Sequence, residues 1–258
     1  MPDLAYLRVA NVTKRFDSGA QAVTAIEEVS LDVRKGAFVS ILGPSGCGKS
    51  TLFNIIAGLL QPTGGDVLID GASVVGRAGE VGYMLQRDLL LPWRTIADNV
   101  TLGQTLRGVK KRDALRAASP LIDRCGLRGF EGKKPHQLSG GMRQRAALMR
   151  TLLTGRDVLL LDEPFGALDA ITRLQLQMTL LDIWQDTQKT ILFVTHDVEE
   201  AILLSDEVVV LTERPGRVRA RVAIDLPRPR TPEMLSSPAL TRHKHELMAL
   251  LLKEVESS

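Results

Sequence analysis

The sequence predicts an α/β protein in which helices cover both faces of a parallel β-sheet, and three features of the chain support this class. Short apolar segments alternate with longer stretches of helical character along the 258 residues. Each segment is continuously apolar, which is typical of strands buried on both faces of a sheet. The composition, 44% hydrophobic and 24% charged, is that of a globular protein with a sizeable core. The five predicted strands are 38–42, 81–85, 158–161, 191–194 and 208–211.

Two additions to this sheet are predicted. Strand-like segments separated by polar turns indicate a small antiparallel sheet at 7–12, 22–26, 29–33 and 67–69. Between residues 88 and 156 the strand signal disappears, and helices are expected at 96–106, 111–125 and 141–153. Residues 1–230 are therefore predicted to form a single domain with a helical insertion. Residues 231–258 are expected to add a linker and a helix at 243–255, without a regulatory domain.

Composition also excludes several classes of protein. Apolar runs such as 158–161 and 191–194 hold four residues, whereas a membrane-spanning helix needs about 18 or more. The N-terminus lacks the apolar core of a secretory signal, so a cytosolic location is expected. Two cysteines argue against a disulfide framework, and no metal-ligand spacing accompanies them. The net charge of +3 gives little support to a nucleic-acid partner.

A glycine-rich segment, GPSGCGKST, directly follows the first core strand and opens a helical run. Its turn lets consecutive backbone N–H groups wrap a phosphate, and the helix N-terminus adds positive partial charge. Lys49 is expected to reach the β- and γ-phosphates, and Ser50 to ligate Mg²⁺. A glycine-rich surface turn is the alternative, but the flanking strand and helix favour a phosphate-binding P-loop. The predicted nucleotide-binding residues here are Gly43, Pro44, Ser45, Gly46, Cys47, Gly48, Lys49, Ser50 and Thr51.

Two acidic residues follow the strand 158–161. Asp162 is placed at the carboxyl edge of the sheet, where α/β proteins bind ligands, and is predicted to hold Mg²⁺ directly or through one of its ligands. Glu163 is expected to point elsewhere and to polarise the water that attacks the γ-phosphate. Either residue alone would suit a solvated strand end. Together, in a chain with a P-loop, they indicate a nucleoside triphosphatase rather than a kinase.

The segment LSGGMRQR is the most specific feature of the chain. Ser139 suits a helix N-cap, and the helix that starts at Gly140 and Gly141 offers a second anion-binding N-terminus. One phosphate chain does not need two such cradles from one subunit. This segment resembles the signature of the ABC ATPase family, and the resemblance covers residues 7–226. It implies the ABC ATPase fold, a P-loop NTPase with a RecA-like parallel sheet, and a head-to-tail dimer in which one subunit's signature closes over ATP bound by the other.

The resemblance assigns roles to four further residues. Gln86 matches the glutamine that senses Mg²⁺ and the attacking water, and His196 matches the switch histidine at the γ-phosphate. Asp169 matches the aspartate that lines the dimer interface. Phe16 stands where the family has an aromatic residue, usually tyrosine, stacked on adenine; phenylalanine keeps the ring face and loses only the hydroxyl. Each has a structural alternative when taken alone, such as a strand cap for Gln86 or a turn or core residue for Phe16.

Among ABC ATPases, the resemblance favours the motor subunit of an importer over a soluble ATPase that acts on DNA or ribosomes. The stretch between Lys49 and Ser139 is too short for a long coiled coil, and the chain has one P-loop and one signature. Segments 89–100 and 208–218 are similar to importer ATPases for nitrate, sulfonate and taurine. They are also similar to relatives that import pyrimidine precursors of thiamine.

This resemblance implies a set of partners. The chain is expected to form a homodimer, or to pair with a related ATPase subunit, beneath two membrane-spanning permease subunits. An extracytoplasmic solute-binding protein would supply the solute, and no nucleic acid is involved. ATP and Mg²⁺ are the implied cofactors, and the cytoplasmic face of the inner membrane is the implied location. The surface that receives the permease is expected to be lined by Leu90, Leu91, Pro92 and Trp93.

Overall fold

A computed structural model describes residues 5–18 and 21–255 of the chain. The strands are β1 Leu7–Ser18, β2 Gln21–Val33, β3 Phe38–Leu42, β4 Gly64–Ile69, β5 Ala72–Ser73, β6 Gly82–Met84, β7 Val158–Asp162, β8 Thr190–Val194, β9 Glu207–Leu211 and β10 Val218–Ala223. The helices are α1 Lys49–Ile56, α2 Ile96–Val100, α3 Leu102–Leu106, α4 Lys111–Arg124, α5 Gly140–Leu152, α6 Ala170–Thr187, α7 Val198–Leu204 and α8 Pro238–Val255. Short 3₁₀ turns occur at Pro135–Gln137 and Pro232–Ser236.

The main sheet confirms the predicted parallel core. Its strand order is β10-β9-β3-β8-β7-β6, and all neighbours from β9 to β6 run parallel. These are the five strands predicted from the apolar segments. Strands that come later in the chain lie on both sides of β3, so the order in which strands are added to the sheet reverses at β3. Open α/β sheets bind ligands beyond the carboxyl end of the strand at such a switch point, which is where the glycine-rich loop begins.

The second sheet confirms the predicted antiparallel flank, in the order β2-β1-β4-β5. Segments 22–26 and 29–33 belong to one continuous strand. The two acidic residues between them are accommodated by an irregularity in the strand pairing. Glu28 adopts a φ of 49°, and the pairing of β1 with β2 shifts between Val29 and Ile26. The bend brings residues 25–27 of β2 beside the loop that follows β3.

Apolar packing on both faces fixes the position of that loop. Strands β3, β7 and β8 are buried along their whole length. On one face, the Phe38 ring lies 5.8 Å from that of Phe193 and 6.0 Å from that of Trp184 in α6. On the other face, α1 buries Leu52 and Phe53 against the antiparallel sheet. The glycine-rich loop is therefore held at both ends by elements that belong to the core.

Two predicted helices differ from the sequence analysis, and two strands were missed, the two-residue β5 and the longer β10. The predicted helix 96–106 is two helices, α2 and α3, because Thr101 at their junction and Gly103 in the first turn of α3 are weak helix formers. The C-terminal helix begins at Pro238, ahead of residue 243, and proline suits a first helical turn. Strand β10 was missed because charged residues alternate with its apolar ones, as on a sheet edge, and only Val222 is buried.

The C-terminal helix completes the core instead of standing apart from it. Leu240 and Leu247 of α8 are buried in a cluster with Val208 and Val210 of β9. Lys244 Nζ also donates to Glu199 Oε1 of α7 at 2.6 Å. Within residues 5–18 and 21–255, no helix combines the length and the apolar character needed to span a membrane.

Candidate functional site

Several of the predicted site residues line a cavity of about 300 Å³ beyond the carboxyl ends of the parallel strands. The glycine-rich loop forms its floor, and residues that follow β6 and β7 and the turn after β9 contribute to its wall. The described residues that line it are Ala25, Ser45, Gly46, Gly48, Lys49, Ser50, Thr51, Gln86, Glu163 and Arg214. Residues that are far apart in the sequence, such as Lys49 and Glu163, therefore face one space.

The loop requires glycine at Gly48, which precedes α1. Its φ of 100° lies in the left-handed region, which side chains other than hydrogen rarely adopt. A Cβ there would lie 2.4 Å from Ile26 Cγ2 and 2.8 Å from the Ala25 carbonyl oxygen. The loop backbone thus passes directly against β2, with no room for a side chain between them.

Lys49 is folded back over the loop. Its Nζ donates to the carbonyl oxygens of Gly43 and Pro44, at 2.6 and 2.8 Å. The residue is only 9% exposed, so these two bonds compensate a buried ammonium. A lysine held in a loop whose backbone N–H groups open a helix is the arrangement that binds phosphate.

Ser50 and Asp162 form a hydrogen-bonded pair of oxygen-bearing side chains at the sheet edge. Ser50 Oγ donates to Asp162 Oδ2 at 3.0 Å, and Asp162 is the last residue of β7. Burial raises the pKa of the Asp162 carboxyl, and the hydrogen bond from Ser50 opposes that shift. A hydroxyl and a carboxylate fit Mg²⁺, which takes few protein ligands and completes its shell with phosphate oxygens and waters. The described residues accordingly contain no cluster of three or more His, Cys, Asp or Glu able to hold a metal alone.

Glu163 connects the residues expected to act on the γ-phosphate. Gln86 Nε2 donates to Glu163 Oε2 at 3.1 Å, and His196 Nδ1 lies 3.6 Å from Glu163 Oε1. The Glu163 backbone is in the left-handed region, with a φ of 47°, and its N–H donates to the Val194 carbonyl of β8. With this unusual backbone Glu163 lines the cavity, and strained positions of this kind cluster at functional sites.

A buried polar network beneath His196 was missed by the sequence analysis. Glu200 of α7 is 6% exposed and accepts hydrogen bonds from Thr195 Oγ1 and, at 2.8 Å, from Gln177 Nε2 of α6. Burial raises the pKa of the Glu200 carboxyl. Glu200 therefore fixes the backbone that carries His196. No sequence signal distinguished this residue from its neighbour Glu199, because only the packing of α7 decides which of them is buried.

The signature segment forms a helix N-terminus outside this cavity. The Ser139 side chain accepts from the Met142 N–H at 3.3 Å, which confirms the predicted N-cap of α5. A Cβ on Gly141 would lie 2.9 Å from Leu168 Cδ2, so the helix start packs closely on the segment that leads to α6. Within the described chain, neither Ser139 nor the two glycines line the cavity. The chain thus has a second helix N-terminus, that of α5, which does not line the cavity.

The two remaining predicted residues also lie outside the cavity lining. Asp169 is the N-cap of α6; it accepts from the Thr172 N–H at 3.0 Å, and this bond lowers the pKa of its carboxyl. Phe16 on β1 is 40% exposed, and Lys14 Nζ lies 5.1 Å from its ring centroid. An exposed ring is free to stack on a base, so the assignment of Phe16 to adenine stays a prediction.

Together, the switch-point loop with its lysine, the Ser–Asp pair and the glutamate beside it define a P-loop nucleoside triphosphatase. The sequence profile of the ABC transporter family matches residues 26–166. The chain belongs to this family, and it is an ATPase that binds ATP.

Three comparisons illustrate this membership. An uncharacterised ABC transporter ATP-binding protein of Methanocaldococcus jannaschii is 47% identical over 98% of this chain and 93% of its own length. The taurine import ATP-binding protein TauB of Rhizobium johnstonii is 47% identical over 81% of this chain and 79% of its own. The solved dimer of an ATP-binding cassette in a post-hydrolysis state, bound to ADP and Pi, superposes with a TM-score of 0.77 at 31% identity, over 84% of this chain and 98% of that one.

Proposed function

We propose that this chain is the ATP-hydrolysing subunit of an importer for a small solute, and that it works as a head-to-tail dimer. The separation of the signature at Ser139 from the cavity around Lys49 carries this proposal. A second helix N-terminus that does not line the cavity of its own chain has a use if it closes over the nucleotide of a partner. The dimeric form of the related cassette supports this arrangement.

The chain's own residues divide the work of hydrolysis. Lys49 and the loop N–H groups bind the terminal phosphates, and Ser139 and Gly141 of the second copy cover the γ-phosphate. Glu163 accepts the proton of the attacking water, and Gln86 and His196 orient that water through their contacts with Glu163. Asp169 at the start of α6 faces the partner and couples the two sites. Closing and reopening of the dimer then shifts the membrane subunits between two states.

Ser50 and Asp162 would hold Mg²⁺, with Gln86 beside them. The ion supplies charge neutralisation on the β- and γ-phosphate oxygens when bound. Residues that orient a metal ligand change metal affinity by about 10- to 100-fold when they are removed.

Ser50→Ala is therefore expected to raise the free Mg²⁺ concentration for half-maximal ATPase activity at least roughly tenfold. The measurement is the steady-state rate at saturating ATP over a Mg²⁺ titration. Ser73→Ala is the matched control, because Ser73 also donates to an aspartate, Asp66, at 2.6 Å but lies outside the cavity. An unchanged Mg²⁺ requirement in Ser50→Ala would remove Ser50 from the metal site.

The surface proposed to receive the permease lies in the segment after Gln86. Trp93 is 69% exposed, and Leu89 is 52% exposed beside it. Leu90 is 7% exposed and packs into the core, so the expectation that Leu90 lines this surface was wrong. Asn99 of α2 fixes the path of the segment, because its side chain bonds both the N–H and the carbonyl of Leu91. Leu89, Pro92 and Trp93 remain exposed in the proposed surface.

Trp93→Ala is expected to lower solute uptake about tenfold or more while ATP affinity stays unchanged, because a central aromatic anchor contributes about 2 kcal/mol or more to an interface. Uptake by membrane vesicles and ATP binding by the purified subunit are measured in parallel. Leu106→Ala is the control, since Leu106 is 78% exposed on another part of the helical insertion. Normal uptake by an assembled Trp93→Ala complex would contradict the docking role.

The proposed solute is nitrate, a sulfonate such as taurine, or a related small molecule, and a thiamine pyrimidine precursor is the alternative. Taurine import by TauB relatives supports the first choice. We propose partnership with two permease subunits and an extracytoplasmic solute-binding protein, and location at the cytoplasmic face of the inner membrane. Uptake of each solute by a deletion strain tests the choice. Co-purification with ribosomes or DNA instead of membranes would favour a soluble ATPase.

A further inference from the structure

The turn between β9 and β10, residues 212–217, lies against the phosphate loop and brings an arginine into the nucleotide cavity. Arg214 Nε and Nη2 donate to the Gly46 carbonyl oxygen at 3.1 and 3.0 Å. Arg214 is also one of the residues that line the cavity. It belongs to none of the motifs that identify the site, and nothing in the mechanism above uses it.

Backbone contacts set the position of this turn. The Gly216 N–H donates to the Ala25 carbonyl, and the Gly216 carbonyl accepts from the Glu27 N–H, both at 3.0 Å. A Cβ on Gly216 would lie 2.0 Å from the Cys47 carbonyl oxygen, so the turn packs backbone to backbone on the phosphate loop. Arg214 is therefore presented from a fixed base, which lowers the entropy lost when its side chain binds a ligand.

The contacts of the lining residues distinguish two parts of the cavity. Ser50 is bonded to Asp162 and Gln86 to Glu163, which makes this the part that handles the terminal phosphates. Arg214 lies in the other part, on Gly46, and its turn is paired with Ala25. A nucleotide that places its terminal phosphates by Ser50 extends its remaining groups, the α-phosphate and the ribose, toward the second part.

The charge of the cavity supports an anion contact there. The described lining residues include two cations, Lys49 and Arg214, and one anion, Glu163. Without Arg214, one cation would face both that carboxylate and the polyphosphate. A guanidinium donates charge-assisted hydrogen bonds to phosphate oxygens, and its fork geometry lets it hold a carbonyl and a phosphate at once.

We propose that Arg214 is a nucleotide-binding residue that holds the α-phosphate and ribose end shared by ATP and ADP, and that it anchors Gly46 of the phosphate loop at the same time. Arg214→Ala is expected to weaken the binding of ADP and of a non-hydrolysable ATP analogue equally, by roughly tenfold, the effect of losing a hydrogen bond to a charged group. In steady-state kinetics the loss is expected as a higher KM for ATP, because removing a contact made both before and during the reaction weakens substrate binding.

Calorimetric titration of both nucleotides and steady-state kinetics test this. Arg214→Lys keeps the positive charge but lacks the forked donor geometry of the guanidinium. Its nucleotide affinity is expected to lie between that of Arg214→Ala and that of the wild type. Raising the salt concentration should reduce the difference in nucleotide affinity between Arg214→Ala and the wild type, because screening weakens a contact between charges. A purely structural role for the arginine would not produce this salt dependence.

Arg217→Ala is the matched control. Arg217 belongs to the same turn, but its guanidinium bonds Glu27 outside the cavity, so wild-type affinities are expected. Three results would each overturn the proposal: unchanged affinities in Arg214→Ala, an equal loss in Arg217→Ala, or a loss confined to the ATP analogue. If Arg214→Ala does not fold, Arg214→Lys against Arg217→Lys decides the question by the same two titrations.

Discussion

Glu163→Gln is expected to lower the ATP turnover number by about 10²- to 10⁴-fold, the contribution of a positioned general base. Glutamine has nearly the same shape, and its carbonyl oxygen can still accept the hydrogen bond that Gln86 Nε2 now makes at 3.1 Å. The orientation of the site is thus kept, while the capacity to take a proton from water is lost. ATP binding should persist, because Lys49 and the loop are unchanged.

This variant should also trap the closed dimer, since hydrolysis is the step that reopens it. Size-exclusion chromatography with light scattering, with and without ATP, measures the trapping, and a phosphate-release assay measures turnover. Glu80→Gln is the control: Glu80 is a surface carboxylate paired with Arg77 and Arg156, away from the cavity. Wild-type hydrolysis by Glu163→Gln would exclude Glu163 as the base, whatever the state of the dimer.

Gly48→Ala is expected to weaken ATP binding by roughly a hundredfold or more, because a strained φ and an overpacked contact each cost about 1–3 kcal/mol. The φ of 100° disfavours any side chain, and the new Cβ would lie 2.4 Å from Ile26 Cγ2 and 2.8 Å from the Ala25 carbonyl oxygen. Both neighbours belong to a paired strand that cannot withdraw. The loop must move instead, and the cradle of N–H groups moves with it.

Gly79→Ala separates the two contributions to this effect. Gly79 has a comparable φ of 90°, but nothing lies within 4 Å of its Cβ position. It should therefore show only the left-handed strain, about 1–2 kcal/mol of lost stability, with unchanged ATP affinity. Titration with ATP and denaturant unfolding of both variants provide the comparison. If Gly48→Ala binds ATP as tightly as Gly79→Ala, the contact with β2 does not define the loop.

Much of the fold was predictable because buried elements have a recognisable local composition. The parallel strands of the main sheet read as continuous apolar runs, since helices cover both faces, and β3, β7 and β8 are buried throughout. Strand β10 has no continuous apolar run, because an edge strand buries few side chains. The joining of segments 22–26 and 29–33 depends on packing between elements, which composition does not record.

Much of the site was predictable for a different reason. A phosphate loop, a carboxylate at a strand end and a helix cap each depend on a short stretch of chain, so their residue types and spacing identify Lys49, Asp162 and Ser139. Arg214 and Glu200 acquire their positions from contacts with Gly46 and with Thr195 and Gln177. Contacts between distant parts of the chain have no local signature.

The sequence by itself determined that this chain is a P-loop ATPase with a signature segment, because those features depend on local spacing. Only the tertiary structure decided which residues share one cavity. It places Gln86 and Glu163 in one lining with His196 Nδ1 3.6 Å from Glu163 Oε1, leaves Ser139 out of that lining, and adds Arg214 to it. The physical reason is that a parallel sheet brings together the ends of strands that are distant in the chain. The place of Arg214 in the cavity depends instead on close backbone packing between the β9–β10 turn, β2 and the phosphate loop.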